Sequence, residues 1–290
     1  MTPRGLTFET DPIGERRAVL HGRWTSELAE ELREADVYAL VLSYTSGFRG
    51  ENLSFLEEVP FLTKLVVIDR AIDDISGLEQ LTHLEHLDLL TYAKTPLDFS
   101  RFPRLKECHL EWIRGSDSIF TCRSLRKLEI YRFPDSTMRR VGEVTELESL
   151  WISHGRRLRS LAGLERCGNL SALTLAYLPN LHSFDAIGHL RGLERLWIET
   201  CRHLESLEFA SSLHRLRELV LGNCGELESL APLNVLRRLE TVHFWESTNV
   251  RDGDMSALLE LPLLGEVRFR NRRHYNYTSE EIMALVKSKR

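Results

Sequence analysis

The hydrophobic positions of this chain recur with a fixed spacing. Four segments start with leucine, carry further apolar residues at positions 4 and 6, and begin 23 residues apart. They are LESLWI from Leu147, LSALTL from Leu170, LERLWI from Leu193 and LRELVL from Leu216. Apolar residues also follow eleven and fourteen residues after each start. A short repeat of this kind cannot bury its apolar face alone, so we expect successive repeats to stack around a shared core.

Weaker copies of the same pattern extend it in both directions. They are VYALVL from Val37, LTKLVV from Leu62, LEHLDL from Leu84, LKECHL from Leu105, LRKLEI from Leu125, LETVHF from Leu239 and LGEVRF from Leu264. The pattern predicts about eleven repeats, each with one short strand followed by a return segment.

This LxxLxL pattern resembles the leucine-rich-repeat superfamily over residues 37–270. The resemblance implies an α/β solenoid, shaped as a horseshoe or arc, with a parallel β-sheet on its concave face and 3-10 turns or short helices on its convex side. The family usually places Asn at position 9, where this chain has Cys201, Cys224, Gly155, Leu178 and Ser247. The cysteine form is similar to short-repeat bacterial proteins of the cytosol and to plant immune receptors.

Both ends of the chain are predicted to be caps, because a solenoid exposes an apolar edge at each terminus. Residues 1–36 form the N-terminal cap, with an edge strand at residues 16–22 and a helix from Thr25. Residues 271–290 form the C-terminal cap, with a final helix that starts at Thr278 or Ser279. Its apolar side chains should close the core: Ile282, Met283, Leu285 and Val286.

Composition restricts the partners and the compartment. Lys and Arg total 38 and Asp and Glu total 43, and the net charge of -5 gives no general attraction to nucleic acid or anionic lipid. The sequence has no apolar run typical of a signal peptide or a membrane span, so we expect a cytoplasmic protein. Five cysteines, an odd number, favour reduced thiols. Cys201 and Cys224 occupy equivalent positions, but two thiols alone predict no metal site.

Side chains at positions 3, 5, 7 and 8 of each repeat are expected to project from the concave face. Four of the five tryptophans fall there. Because exposed aromatic residues are typical anchors of protein interfaces, we predict a partner-binding site on this face. Its residues are Trp112, Tyr131, Trp151, His154, Tyr177, Trp197, Glu199, His243, Trp245 and Glu246. Trp151 and Trp197, two strands apart, should lie about 10 Å from each other.

The charged residues of this face favour a basic partner. The acidic side chains are Asp88, Glu107, Glu111, Glu129, Glu199, Glu218 and Glu246, and the basic ones are Lys127, Arg132 and Arg195. The sequence therefore predicts a non-enzymatic protein-binding module without a cofactor. An immunity protein that neutralises a toxin or effector is the specific version of this hypothesis.

Three alternatives remain. One is a scaffold or regulatory subunit of a larger assembly. Another is nucleic-acid binding through the basic and aromatic tract RFRNRRHYNY at residues 268–277, although the same tract suits a structural cap. The third is catalysis by residues that converge on the concave side, namely His109, Glu111, Glu129 and His154. No phosphate-binding loop, GxSxG, HExxH or catalytic-cysteine motif supports the third alternative.

Overall fold

The computed structural model describes residues 5–12 and 14–288, and the chain packs into two compact units, Met1–Ile130 and Tyr131–Arg290. The first unit contains β1 (Gly5–Thr10), β2 (Arg16–His21), α1 (Glu27–Glu34), β3 (Ala39–Ser43), β4 (Lys64–Ile68), β5 (His86–Leu90), β6 (Glu107–Glu111) and most of β7 (Lys127–Tyr131). The second contains β8 (Ser149–Ser153), β9 (Ala172–Ala176), β10 (Arg195–Glu199), β11 (Glu218–Gly222), β12 (Glu226–Leu227), β13 (Thr241–Trp245), β14 (Asn249–Val250), β15 (Glu266–Phe269) and α2 (Ser279–Ser288).

Each predicted repeat forms one short strand, which begins two residues after the predicted start of the repeat. In the second unit β9, β10 and β11 pair in parallel, with Leu173, Leu196 and Leu219 in register. These three leucines are at most 1% exposed, because alternate residues of a strand point to one face and the leucines share the inner one. The leucine-rich-repeat pattern predicted from the sequence is therefore confirmed.

The return segments are short 3-10 helices, since a repeat of this length leaves too few residues for a full α-helix. In the first unit they span Ser54–Glu58, Ser76–Gln80, Phe99–Arg101 and Ser116–Thr121. In the second they span Val141–Glu143, Leu164–Arg166, Asp185–His189, Glu208–Ser212, Ala231–Leu233 and Ser256–Glu260. The apolar residues that lead into these helices are buried, as Leu204 and Leu207 illustrate before Glu208–Ser212, at 0% and 1% exposure. Burial of one leucine side chain contributes about 2 kcal/mol, and stacking repeats this gain along the chain.

The N-terminal segment differs from its prediction in one element. The predicted edge strand is β2 and the predicted helix is α1, which begins at Glu27 rather than directly after Thr25. The additional strand β1 pairs antiparallel with β2. Its apolar residues Leu6 and Phe8 alternate with the polar residues Thr7 and Glu9, a short signal for a strand that the sequence reasoning missed.

The C-terminal helix α2 begins where the sequence predicts. The Thr278 hydroxyl accepts a hydrogen bond from the Glu281 N–H, and the Glu281 carboxylate accepts one from the Thr278 N–H, which is a capping box. Ile282 and Val286 are buried, whereas Leu285 is 40% exposed, so the helix packs with only part of its predicted apolar set. Among the described residues, no helix has the length and apolar composition needed to cross a membrane.

Position 9 of the repeats joins neighbouring repeats through cysteine. The Cys224 thiol donates to the Ile198 carbonyl at 3.2 Å, one repeat earlier. Cys201 makes the equivalent but longer contact to Leu175, at 3.8 Å. In the next repeat this hydrogen bond is made by Thr248 rather than by Ser247, the residue predicted at position 9. The buried Thr248 hydroxyl donates to the Leu221 carbonyl. One extra residue in this turn shifts the buried position from Ser247 to Thr248.

The thiols are expected to be chemically unreactive in the folded protein. All five cysteines are free and buried, and burial raises the pKa of Cys122 and Cys167 to about 11 and that of Cys224 to about 12. Because only the thiolate is nucleophilic, roughly a thousandth or less of each of these three thiols is reactive at pH 8. An aromatic disulfide reagent should therefore react with five thiols only after denaturation. A fast phase in the native protein would contradict this burial.

The residue at position 8 adopts a left-handed conformation in six successive repeats. These residues are Arg132, His154, Tyr177, Thr200, Asn223 and Glu246, with φ between 53° and 60°. This conformation continues the hydrogen-bond ladder beyond the strand, since the His154 N–H donates to the Ala176 carbonyl at 3.1 Å. It also turns the side chain at position 8 away from the core.

Thr200 is the β-branched member of this row, and its backbone is strained because a branched Cβ crowds the left-handed conformation. We expect Thr200→Asn to stabilise the protein by about 1 kcal/mol, since Asn tolerates this conformation and already occupies it at Asn223. Urea denaturation measures the change. Thr174→Asn, inside β9, is the control and should give no gain; equal effects of the two substitutions would argue against backbone strain as the cause.

Candidate functional site

Nine of the ten predicted partner-binding residues lie in the second unit. Trp112 belongs to the first unit, where it follows β6 and its ring centroid lies 6.0 Å from that of Phe120. The residues of the second unit occupy the surface formed by positions 3, 5, 7 and 8 of its repeats. This surface is called the exposed sheet face below, and its aromatic side chains form two groups.

The first group is a stack of Tyr131, His154 and Tyr177, called the tyrosine–histidine stack. The His154 ring lies 4.7 Å from Tyr177 and 5.9 Å from Tyr131, with interplanar angles of 24° and 21°. Trp151 lies 6.0 Å from Tyr131. The Trp151 side chain is half-buried, and its indole N–H is buried without an acceptor among the described residues. Trp151 is therefore largely packed within the protein, whereas Tyr177 is 44% exposed.

The second group is a pair of tryptophans, Trp197 in β10 and Trp245 in β13. Their ring centroids lie 6.2 Å apart and their planes meet at 89°, an edge-to-face arrangement. Trp197 is 42% exposed. The pair forms because the intervening residue is Gly222, where a Cβ atom would come within 3.0 Å of the Trp245 ring. Gly222 thus lets the Trp245 indole lie close over the sheet.

Small residues between the two groups were missed by the sequence analysis. Thr174 pairs in register with Trp151 on one side and with Trp197 on the other. The two tryptophans are therefore two strands apart, with one strand and a small side chain between them. Val220, next to Trp197 in β11, is only 3% exposed. Low side-chain volume at Thr174 and Gly222 is the sequence signal that would have indicated open space beside the tryptophans.

Three carboxylates of the exposed sheet face are unpaired. Glu199, Glu218 and Glu246 have no ion-pair partner among the residues that the structure describes. Glu199 pairs in register with Gly222, which pairs with Trp245, and Glu246 directly follows Trp245. Two carboxylates therefore belong to the strand ends that carry the tryptophan pair.

His243 belongs to a different set of interactions. Its Nε2 atom lies 3.3 Å from the Glu266 carboxylate, which also pairs with Arg268 at 2.8 Å. The His243 side chain is 19% exposed. His243 therefore lies mostly covered beside an ion pair rather than open on the surface.

In the first unit, the predicted excess of acidic side chains is smaller than the residue count indicated. Glu111 is 3% exposed and lies 3.4 Å from Arg70, so its placement on the exposed surface was wrong. The other acidic residues contact basic ones: Asp88 lies 3.1 Å from His86, Glu107 lies 3.2 Å from His86, and Glu129 lies 3.1 Å from Lys127. Only the contact between Glu107 and His86 joins neighbouring strands. The other two join residues two positions apart in one strand, so a count of charges missed them because it ignored such neighbours.

The residues of the catalytic alternative lie among charged neighbours. The predicted catalytic residue His109 lies 3.9 Å from Asp88 and 3.8 Å from Glu129. These three side chains form a group of ionisable residues that includes no hydroxyl or thiol nucleophile. In the described part of the chain, no three His, Cys, Asp or Glu side chains are grouped to hold a metal ion.

The basic tract at residues 268–277 packs on the preceding repeat. Arg272 donates to the carbonyls of Glu246 and Thr248, at 3.1 and 3.2 Å. The Tyr275 hydroxyl accepts from the Val250 N–H at 3.0 Å. These contacts fit the capping interpretation for Arg272 and Tyr275, whereas Arg268, Arg270 and Arg273 of the same tract are exposed.

Comparison with known proteins identifies the fold. No protein-family model and no curated protein sequence matches the chain. Among solved structures, it is similar to a leucine-rich-repeat protein of Leptospira interrogans (TM-score 0.64, 17% identity, covering 93% of this chain and 76% of that one). It is also similar to an internalin of Listeria monocytogenes (TM-score 0.59, 15% identity, 89% and 83%). A third similar structure is TLR13 in complex with single-stranded RNA (TM-score 0.56, 19% identity, 93% and 48%).

At identities of 15% to 19%, these likenesses establish the fold alone. They agree with the parallel repeat strands, the 3-10 return segments and the leucine core of the chain. The protein is therefore a leucine-rich-repeat protein in its fold.

Proposed function

We propose that this protein binds another protein through the exposed sheet face of its second unit. The observation that carries the proposal is the tryptophan pair, Trp197 and Trp245, held at 6.2 Å beside two unpaired carboxylates. Repeat proteins of this architecture characteristically use their extended sheet surfaces for binding. Large aromatic side chains supply much of the affinity at such surfaces.

The chemistry of the pair indicates what the partner contributes. Two perpendicular indoles attract a cation that lies over a ring face, and each such contact is worth about 0.5–2 kcal/mol. Glu199 and Glu246 carry negative charge at the same strand ends. We therefore infer that the partner inserts a lysine or arginine side chain at Trp197 and Trp245. The sequence predicts a partner with a basic surface, and we propose that this basic surface includes the residue bound at Trp197 and Trp245.

We also propose the mode of action, the compartment and the class of partner. The protein acts by binding, without catalysis, and in the cytoplasm. Its partner is a toxin or effector that it neutralises, as the sequence hypothesis states; a scaffold or regulatory role in an assembly is the alternative. TLR13, which was solved with single-stranded RNA, raises nucleic acid as another ligand class. The engagement of Arg272 and Tyr275 in the cap argues against that class at the basic tract.

The test of this proposal is a charge-specific binding measurement. The immobilised protein captures candidates from an extract of its source cells, and each candidate is then purified and titrated. We expect Glu199→Gln with Glu246→Gln to slow association several-fold and to reduce its dependence on salt, because acidic side chains steer a basic partner toward its site.

The matched control is Glu228→Gln, an exposed carboxylate in a turn outside the sheet face. It should leave association unchanged. A candidate whose binding is insensitive to the paired substitution and to salt would contradict the proposed basic partner. Recovery of nucleic acid with the same dependence on Glu199 and Glu246 would contradict the protein-binding function.

A further inference from the structure

A cavity of about 500 Å³ beside the tyrosine–histidine stack has a strongly cationic lining. Its walls are formed by Arg132, Phe133, Pro134, His154, Arg156 and Arg157. The cavity lies within the second unit and does not include the tryptophan pair. It shares His154 with the predicted partner-binding residues but is separate from the tryptophan pair, so it can be tested without the protein partner.

The backbone fixes the turn that carries the two adjacent arginines. His154, in the left-handed position at φ 56°, ends the strand and directs the chain into the turn. The Leu158 N–H donates to the Gly155 carbonyl at 3.2 Å, which closes the turn. From the next repeat, the Asn180 amide donates to the Arg156 carbonyl at 2.7 Å. The main chain of this turn is thus held at both ends, so the arginine side chains start from a fixed position.

Two of the three arginines of the cavity have no carboxylate partner among the described residues. Asp135, the carboxylate in the loop after Arg132, is already bound by Arg140 through two hydrogen bonds of 2.6 and 2.8 Å. Arg156 and Arg157 are exposed and have no ion-pair partner within the described residues. The whole chain carries a net charge of -5, so the cavity is a local concentration of positive charge.

We propose that this cavity binds a phosphate monoester. The planar guanidinium group donates two parallel hydrogen bonds to phosphate oxygens, and such charge-assisted pairs are among the strongest that side chains form. The two unpaired arginines match the charge of a phosphate dianion. His154 supplies a ring nitrogen at the same wall.

The surrounding charges favour a compact anion over a nucleic-acid strand. The exposed sheet face carries Glu199, Glu218 and Glu246 in the repeats that follow the cavity. A polyanion that crossed the strands would meet these unpaired carboxylates, and like charges in contact cost binding energy. A single phosphate in the cavity avoids them.

Calorimetric titration of the full chain with phenyl phosphate at low ionic strength tests the proposal. We expect saturable binding to the wild type and a loss of at least about tenfold in affinity for Arg156→Gln with Arg157→Gln. Arg202→Gln is the matched control, because Arg202 occupies the position of Arg156 two repeats further along and lies outside the cavity. Its affinity should equal that of the wild type, and circular dichroism should be the same for all variants.

Two results would overturn the assignment. One is the absence of phenyl phosphate binding to the folded wild type, or binding that the double substitution leaves unchanged. The other is tighter binding of a single-stranded oligonucleotide than of phenyl phosphate, with the same dependence on Arg156 and Arg157, which would assign the cavity to a polyanion.

Discussion

The substitution Trp197→Ala is expected to weaken partner binding by roughly 30-fold to 1,000-fold, or about 2–4 kcal/mol. Trp197 is 42% exposed, yet it is fixed against Trp245, so it offers a large rigid surface at a low entropic cost. Most of the loss should appear as faster dissociation, because truncation of an anchor acts mainly on the lifetime of a complex.

The same substitution should change folding little, since the edge-to-face contact with Trp245 contributes only about 1 kcal/mol. Urea denaturation checks this point, and titration with the purified partner measures the affinity. Leu263→Ala is the control, because Leu263 is 47% exposed in a turn outside the sheet face. An equal loss of affinity for both variants, or a Trp197→Ala variant that does not fold, would contradict the role of Trp197 as an anchor.

The substitution Gly163→Ala is expected to destabilise the protein strongly, by about 3 kcal/mol or more. Gly163 has a φ of 107°, and a Cβ atom there would lie 2.5 Å from the Cα of Arg139 and 2.6 Å from its backbone nitrogen. A strained φ costs about 1–3 kcal/mol. Overlap with the backbone of the preceding repeat adds about 1–3 kcal/mol, because the backbone cannot rotate away as a side chain can.

Gly168→Ala is the matched control for Gly163→Ala. A Cβ atom at Gly168 meets no atom within 4 Å, and its φ is not positive. Its effect should lie within about 0.5 kcal/mol of the wild type or be slightly stabilising. If both alanine variants unfold at the same urea concentration, that result would contradict the claim that the Arg139 backbone leaves no room for a Cβ atom at Gly163.

The sequence predicted the fold well because the leucine positions repeat without interruption. A leucine at the same place in each repeat can be buried only by stacking, so the pattern leaves little freedom for another arrangement. The exceptions are local. β1 lies before the first repeat, so the spacing of the leucines contains no signal for it. The extra residue before Thr248 shifts the buried hydroxyl by one position, which depends on the hydrogen bond to Leu221.

The candidate site was harder to predict from the sequence than the fold. Repeat positions place Trp197 and Trp245 on the sheet face, but their contact depends on Gly222 in the strand between them. Charge counting failed at Glu111, because burial beside Arg70 depends on a partner 41 residues earlier in the chain. The cationic cavity depends on two successive repeats, so spacing within one repeat contains no signal for it.

Oxidative footprinting of the protein with and without its purified partner is the most direct test of the central claim. Hydroxyl radicals label exposed side chains, so the comparison reports which of them the partner covers. We predict that labelling of Trp197, Trp245 and Tyr177 falls in the complex, while Leu263 and Leu285, both exposed and outside the sheet face, are labelled as before. Unchanged labelling of Trp197 in a saturated complex would contradict binding at the exposed sheet face of the second unit.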